Sequence, residues 1–340
     1  MDLNPESRPV AVVAVAASAG GVEALTRFVK ALPADFEAAV LVVLHIPDTG
    51  PSVLPGILTR AGSLPAVHAE DGMPLRAGLI IVAPPGRHLR VEPGMAVLDR
   101  GPRENGHRPS ADLLLRSVAR AYGSRSAGVV LSGTMDDGAA GLRAVGLSGG
   151  LTMAQDPTEA AFPGMPAAAI AEAHPDLVCS VDAMADRLTS WVAQPPPEEE
   201  LLLPRVPAIE EGMTDMRELL PFTCPECGGN LWVDDDDGVE RYRCRVGHAF
   251  SSRGLMVGKQ NAVEAALWAA IVALEERADL DRRLLKRQGE HGRPALIRRY
   301  RDEIDRVAKQ IEVLRGLIGD LIDHGAQTGG SDKDDANPTA

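Results

Sequence analysis

Along the first 190 positions, apolar residues come in short unbroken runs rather than at alternate positions. Val10–Ala16, Ala38–Leu44, Leu79–Ala83 and Ala127–Leu131 are such runs, with Leu151–Ala154 and Leu177–Val181 as shorter ones. Runs of this length, rich in β-branched residues, read as strands buried on both faces. Between them the apolar positions take a helical rhythm, which predicts helices over 22–31, 51–61, 111–122 and 138–149. Ser110 stands as N-cap of the helix 111–122, with Asp112 in its first turn. Met95–Asp99, after the Pro93-Gly94 turn, reads as a short antiparallel partner. The alternation predicts an α/β fold, a doubly wound and mostly parallel sheet with helices on both faces.

The pattern changes at position 193. Ala193-Gln-Pro-Pro-Pro-Glu-Glu-Glu200 opens a stiff, charged linker expected over 193–221. A cysteine-bearing stretch follows at 222–252, then two long helical patterns at 258–288 and 295–323. In the second, Ile297, Tyr300, Ile304, Val307, Ile311, Leu314, Ile318 and Leu321 form an apolar seam. In the first, Val263, Leu267, Ala270, Leu274 and Ala278 are expected to do the same. Gly289 and Gly292-Arg-Pro294 separate the two, so a helical hairpin over 258–325 is expected, serving a homodimer or another partner. The polar tail 326–340 is expected to be disordered.

Composition narrows the function. With 340 residues the chain is long enough for several domains. A net charge of −13 argues against nucleic acid as the partner of the whole protein, because phosphate binding needs a basic surface. No apolar run reaches membrane-spanning length and the N-terminus carries no signal pattern, so a cytoplasmic protein without membrane insertion is expected.

Three reactive side chains each follow a different apolar strand: Ser18 after 10–16, His45 after 38–44, and Asp137 or Asp136 after 127–131. Ligands of open parallel sheets bind at the carboxyl ends of the strands. A serine there needs a base to take its proton and a carboxylate to orient that base, which is the logic of acyl transfer. The N–H groups of Gly20 and Gly21, at a helix start, are candidate oxyanion donors. The same turn also suits a nucleotide phosphate. Yet Ala17–Glu23 lacks G-x-G-x-x-G and the P-loop lysine, and His45 stands where a dinucleotide fold wants an acid.

Residues 9–192 resemble the catalytic domain of the CheB-type chemotaxis protein-glutamate methylesterases. The landmarks are Ala17-Ser18-Ala-Gly-Gly21, Leu44-His45-Ile-Pro47, Ala69-Glu-Asp-Gly72, Ala83-Pro-Pro-Gly-Arg-His88 and His107-Arg-Pro-Ser110. Leu131–Gly141, Ala154-Gln-Asp156 and Gly164-Met-Pro166 continue the series in order. The resemblance implies that Ser18 is the nucleophile, His45 the general base and Asp137 the orienting acid. It implies hydrolysis of glutamate methyl esters, and deamidation of glutamines, on a methyl-accepting chemoreceptor or related signalling protein, with no cofactor for catalysis. Asp137 fits the family's Asn-Asp-Gly better than Asp136. Two departures stand out. Ala19 replaces a threonine, and Asp136 adds a negative charge beside the acid. Arg87, His88, Arg108 and Met165 fall on loops able to reach the same edge. The family's usual enzyme carries a receiver domain ahead of this one. Here the switch is expected to be absent or to sit on another protein. A degenerate, inactive CheB-like scaffold that recruits signalling partners is the alternative.

Cys224, Cys227, Cys244 and His248 follow C-x2-C-x16-C-x3-H, the layout of a closed tetrahedral zinc site built on two turns and a hairpin turning at Asp237-Gly238. Asp234–Asp237 disfavours phosphate there. With all four positions filled the metal is expected to be structural, and its loss to spare the esterase. Such an extension also resembles one found on some stand-alone CheB-like proteins. Cys179, alone in a predicted strand, reads as core.

Overall fold

The computed structural model describes residues 11–194, 219–236, 239–288 and 293–328. In chain order the first stretch runs β1 (Ala11–Ala17), α1 (Gly21–Ala31), β2 (Ala38–Leu44), α2 (Leu54–Ala61), β3 (Ala66–His68) and β4 (Met73–Pro74). It continues with β5 (Ile80–Val82), β6 (His88–Glu92), β7 (Met95–Asp99), α3 (Ala111–Tyr122), β8 (Ser126–Val130) and α4 (Ala139–Leu147). It ends with β9 (Leu151–Gln155), α5 (Gly164–Ala173), β10 (Leu177–Cys179) and α6 (Val181–Val192).

Every residue of β1 and β2 is buried, as unbroken apolar runs require. The seven-stranded sheet has the order β10-β9-β8-β1-β2-β5-β3, and all its pairings are parallel. Successive side chains of a strand point to opposite faces. Val13, Val15, Val40 and Val42 therefore pack with Leu25 and Leu188 on one face. Val12, Ala14, Leu41 and Val43 pack with Leu115 and Leu142 on the other. Met95–Asp99 does pair antiparallel, with β6, in a separate small sheet of order β4-β7-β6. The helix expected from Pro51 starts at Leu54. Helix α5 went unanticipated because its Gly-Met-Pro-Ala-Ala-Ala sequence carries almost no amphipathic signal.

Strands β11 (Leu219–Thr223), β12 (Asn230–Asp236), β13 (Val239–Cys244) and β14 (Ala249–Phe250) form an antiparallel four-stranded sheet in that order. Cys224, Leu231, Cys244, Phe250 and Leu255 make its small core. Most of the expected linker, the Asp237-Gly238 turn, and the tail beyond 328 lie outside the described residues. Helices α7 (Ser252–Gln288) and α8 (Pro294–Thr328) follow, starting before position 258 and ending after position 325.

Two compact units divide the chain, Met1–Leu255 and Met256–Ala340. In the second, all eight expected seam positions of α8 are buried or half-buried, with Val307 and Ile318 the deepest. In α7 the seam differs from expectation: Ile271 and Ala278 are buried, whereas Val263 and Ala270 are exposed. Apolar residues run unbroken from Ala265 to Leu274, so the sequence does not mark which face turns inward. Gln260 Nε2 donates to Leu321 O (3.2 Å), and Arg315 pairs with Glu275 (2.9 Å) across the helices. Among the described residues, no helix is long and apolar enough to cross a membrane.

Helices α3 and α4 meet where Gly141 has no side chain. A Cβ there would lie 2.7 Å from Leu115 Cβ and 2.9 Å from the Asp112 backbone. Gly141→Val is expected to destabilise the protein by about 1–3 kcal/mol. Thermal unfolding checks this, and an unchanged midpoint would contradict the close approach.

Candidate active site at the carboxyl edge of the sheet

Ser18 and His45 follow the paired strand ends Ala17 and Leu44, so they are the next step of one parallel register. Neighbouring strands lie about 4.8 Å apart, which brings the two residues side by side. His45 N–H donates to Ala17 O (3.1 Å), and Ser18 N–H donates to Ser132 O (3.0 Å) just past β8. The serine turn is thus tied to both neighbours. The chain leaves β1 toward β2 on one side and returns as β8 on the other, so the crevice lies at a topological switch point. Gly20 caps α1 with φ 69°, and a Cβ on it would lie 2.7 Å from Ser132 Oγ. Gly21 N–H donates to Ser18 O (2.8 Å), closing the turn. It is therefore not the free oxyanion donor that the sequence pattern suggests.

His45 Nε2 lies 2.8 Å from Asp137 Oδ2, with both side chains buried. His45 Nδ1 is buried and has no hydrogen-bond partner among the described residues. Asp137 sits at the N-terminus of α3. Its Oδ2 also accepts from Ala111 N–H (2.7 Å), and its Oδ1 from Ser110 Oγ (3.0 Å), Asp112 N–H (3.2 Å) and Asn105 Nδ2 (3.3 Å). Ser110 occupies the N-cap position, but its hydroxyl makes no capping bond. The Asp137 carboxylate does that work from another element. Burial alone would push the Asp137 carboxyl up. The hydrogen bond and charge of His45, with the Ala111 N–H, hold it well below the usual range. Asp136 points elsewhere. Burial pushes its carboxyl up, against a hydrogen bond from Ser251. Environment thus separates the two adjacent acids that the sequence left open. The β8–α4 loop that presents them carries Met135 at φ 69°, a conformation that costs a side-chain-bearing residue energy.

His107 stacks on His45, with centroids 3.8 Å apart and planes 7° from parallel. In the sequence His107 is one landmark of the 107–110 segment, and no local pattern marks this contact. Burial first, then the neighbouring His45, push its imidazole down to about 4. His88 is buried and spans Pro102 O (2.9 Å) and Ser110 N–H (3.3 Å), a strut for the 101–110 loop. Met165 is buried against Gly133, and Arg108 donates to Gly101 O (3.0 Å). These three therefore shape the walls. An apolar hollow of about 230 Å³, lined by Val22, Leu44, Ile46, Pro47, Val53 and Ile57, lies beside His45.

The Cys224, Cys227 and Cys244 Sγ atoms and a His248 ring nitrogen all lie within 4.8 Å of one another. Cys227 Sγ and Cys244 Sγ are 3.6 Å apart, and Cys244 Sγ is 3.4 Å from His248 Nδ1. A tetrahedral zinc with Zn–S bonds near 2.3 Å needs S···S edges of about 3.8 Å, so the donor set fits that ion. Each knuckle turns on a glycine, Gly228 and Gly247, whose N–H donates to the first cysteine's carbonyl (2.8 Å each). Cys179 lies in β10, half-buried against the sheet core.

The CheB methylesterase family model matches residues 13–188. Protein-glutamate methylesterase/protein-glutamine glutaminase 3 of Anaeromyxobacter dehalogenans is 45% identical over 184 residues, 53% of this chain and 54% of that protein. Protein-glutamate methylesterase/protein-glutamine glutaminase 4 of Myxococcus xanthus is 43% identical over 180 residues, 53% and 51% of the two chains. The crystal structure of the Thermotoga maritima CheB methylesterase catalytic domain is 30% identical, with a TM-score of 0.51. It covers 53% of this chain and 97% of that one. The chain spans about half the length of the curated relatives it matches.

The stacked His107 has a consequence for acid stability. Its ring stays neutral in the fold down to about pH 4, whereas an unfolded imidazole takes its proton near 6.5. The unfolded state therefore binds more protons between these values, so stability falls as pH drops from 6.5 toward 4. The loss reaches at most about 3 kcal/mol. His107→Gln should flatten this acid limb in urea unfolding, and an equally steep limb would contradict a buried neutral ring.

Proposed function

The chain belongs to the CheB methylesterase family, and on that premise we propose that it is a serine esterase. Its substrates are glutamate methyl esters on methyl-accepting chemoreceptors or a related signalling protein, with glutamine deamidation as the same chemistry on an amide. The observation that carries the reading is the His45–Asp137 hydrogen bond beside Ser18, at the switch point of the sheet. Asp137, already bonded to Nε2, fixes the tautomer that leaves the lone pair on His45 Nδ1.

Ser18 Oγ attacks the ester carbonyl carbon while His45 Nδ1 takes its proton. The tetrahedral oxyanion is held by the Ser18–Gly20 turn at the start of α1. Collapse breaks the C–O bond to methoxide, which leaves as methanol with the proton from His45. Water, giving a proton to His45, then attacks the acyl carbon; the bond to Ser18 Oγ breaks, Ser18 takes that proton back from His45, and glutamate is released. The stacked, neutral His107 shields the base from water on one face. The hollow lined by Val22, Ile46 and Val53 offers an apolar seat for the receptor segment next to the ester.

In this reading, residues 9–192 are the esterase, 222–252 a zinc-ribbon-like module and 258–325 a hairpin for a homodimer or partner. Cys224, Cys227, Cys244 and His248 hold one structural Zn(II), and the protein works in the cytoplasm. Zinc titration of the reduced protein should saturate at one ion per chain, and Cys244→Ser should lower the affinity sharply.

Methanol release from a methylated chemoreceptor fragment tests the activity. Ser18→Ala and His45→Ala should each abolish it with the fold intact. Asp137→Asn should cut kcat on the order of 10³–10⁴-fold, and Asp136→Asn far less. Equal losses from the two aspartate changes would undo the assignment. No release by folded wild-type protein would favour a recruiting scaffold.

A further inference from the structure

The sequence presents the serine–histidine–aspartate set and the cysteine–histidine cluster as separate constellations. The structure joins them. Strand β14 lies against the 101–110 loop: Asn105 N–H donates to Ala249 O (2.8 Å), and Ala249 N–H to Arg103 O (3.4 Å). Ala249 directly follows the ligand candidate His248. A Cβ on Gly247, in the same knuckle, would lie 3.0 Å from Pro102 Cγ. Glu226, between Cys224 and Cys227, faces Arg103 (3.6 Å), which in turn pairs with Asp48 (2.5 Å) beyond His45. Both knuckles therefore bear on the loop that carries His107 and Asn105.

Arg241 of β13 goes further inward and is 1% exposed. Its Nη2 donates to Asp112 Oδ2, and its Nη1 to Asn105 Oδ1 (3.4 Å). Asn105 Oδ1 also accepts from Ser251 N–H (2.8 Å). Asn105 Nδ2 donates to both Asp112 Oδ2 (3.2 Å) and Asp137 Oδ1 (3.3 Å). Asp112 Oδ1 accepts from Gly138 N–H (3.0 Å) and Gly141 N–H (2.7 Å), fixing the start of α4 immediately after Asp137. Two buried carboxylates, Asp112 and Asp137, thus share one amide donor. Arg241 is the cation that contacts Asp112, while Arg116 contacts Glu104. Without Arg241, Asp112 would face Asp137 with only the charge of Arg116 and its N–H donors to favour the ionised form.

Resting on the esterase reading above, we propose that Arg241 is a positioning residue for the reaction. Through Asn105 and Asp112 it sets the place of Asp137, so the metal-held module is part of the active-site scaffold and esterase competence depends on its integrity. This reverses the expectation that loss of the metal spares the esterase. The module is a support for the acid and contributes no group to the reacting atoms.

The test uses the full chain as zinc-loaded wild type, zinc-stripped wild type, Arg241→Met and Arg241→Lys. Three readouts are taken. They are the His45 Nε2–H proton resonance, the rate of Ser18 labelling by a fluorophosphonate, and kcat and KM for methanol release. Arg241→Met should keep its zinc and its circular dichroism. It should lose kcat on the order of 10- to 100-fold with little change in KM, in parallel with Ser18 labelling and with loss of the His45 resonance. Zinc-stripped wild type should show the same signature, and Arg241→Lys a partial recovery. Arg241→Lys, which keeps the charge but reaches only one partner, carries the comparison if Arg241→Met does not fold. A wild-type resonance and labelling rate in the variant and in the stripped protein would overturn the proposal. If wild type neither labels nor releases methanol while the His45 resonance still tracks Arg241, the esterase reading fails and the positional coupling stands.

Discussion

The buried carboxylate of Asp137 is the constraint around which the rest is arranged. A charge taken out of water survives only where donors replace its hydration. Here donors come from the 101–110 loop, the start of α3 and the end of β2. Each supplier is held in turn: the loop by His88, α3 by its packing against the sheet, and His45 by the stacked His107. Helix α3 gains an anion at its N-terminus, and the anion gains two backbone N–H groups, so neither end is left unsatisfied.

The same logic separates Asp136 from Asp137. The two are adjacent in sequence and carry the same charge, yet one is held ionised by donors and the other is pushed toward neutrality by burial. Adjacent residues diverge because the β8–α4 loop turns one side chain under α3 and the other toward Ser251. Their charges still meet, since the Asp137 carboxylate is one of the causes that raise the Asp136 carboxyl.

Asp112 extends the layer. It lies one step inside α3, yet its side chain caps α4 and contacts a cation from the cysteine–histidine module. The small antiparallel sheet that carries the cysteine–histidine cluster has its own core and is therefore also a wall of the α/β domain. The fold brings in Arg241 from more than a hundred positions away, and its charge acts on Asp112 together with that of Arg116 on the same helix.

Much of this is legible in the sequence. Unbroken apolar runs meant strands buried on both faces, and their alternation with helical patterns meant a parallel sheet, because periodicity reports burial directly. Ser18, His45 and the Asp136-Asp137 pair stand out as candidates in the sequence because ligands of such sheets bind at strand ends, which the runs mark. The cysteine spacing was legible because knuckle geometry is local. What only the tertiary structure decided are the contacts between residues far apart in the chain. Examples are His107 over His45, Asp137 in place of Ser110 as the cap of α3, Gly21 N–H closed onto Ser18 O, and Arg241 on Asp112. The inward face of α7 belongs to the same class, since an unbroken apolar stretch leaves its orientation to the packing of α8. Local pattern determines what each segment becomes; which side chains share a buried charge depends on where the segments meet.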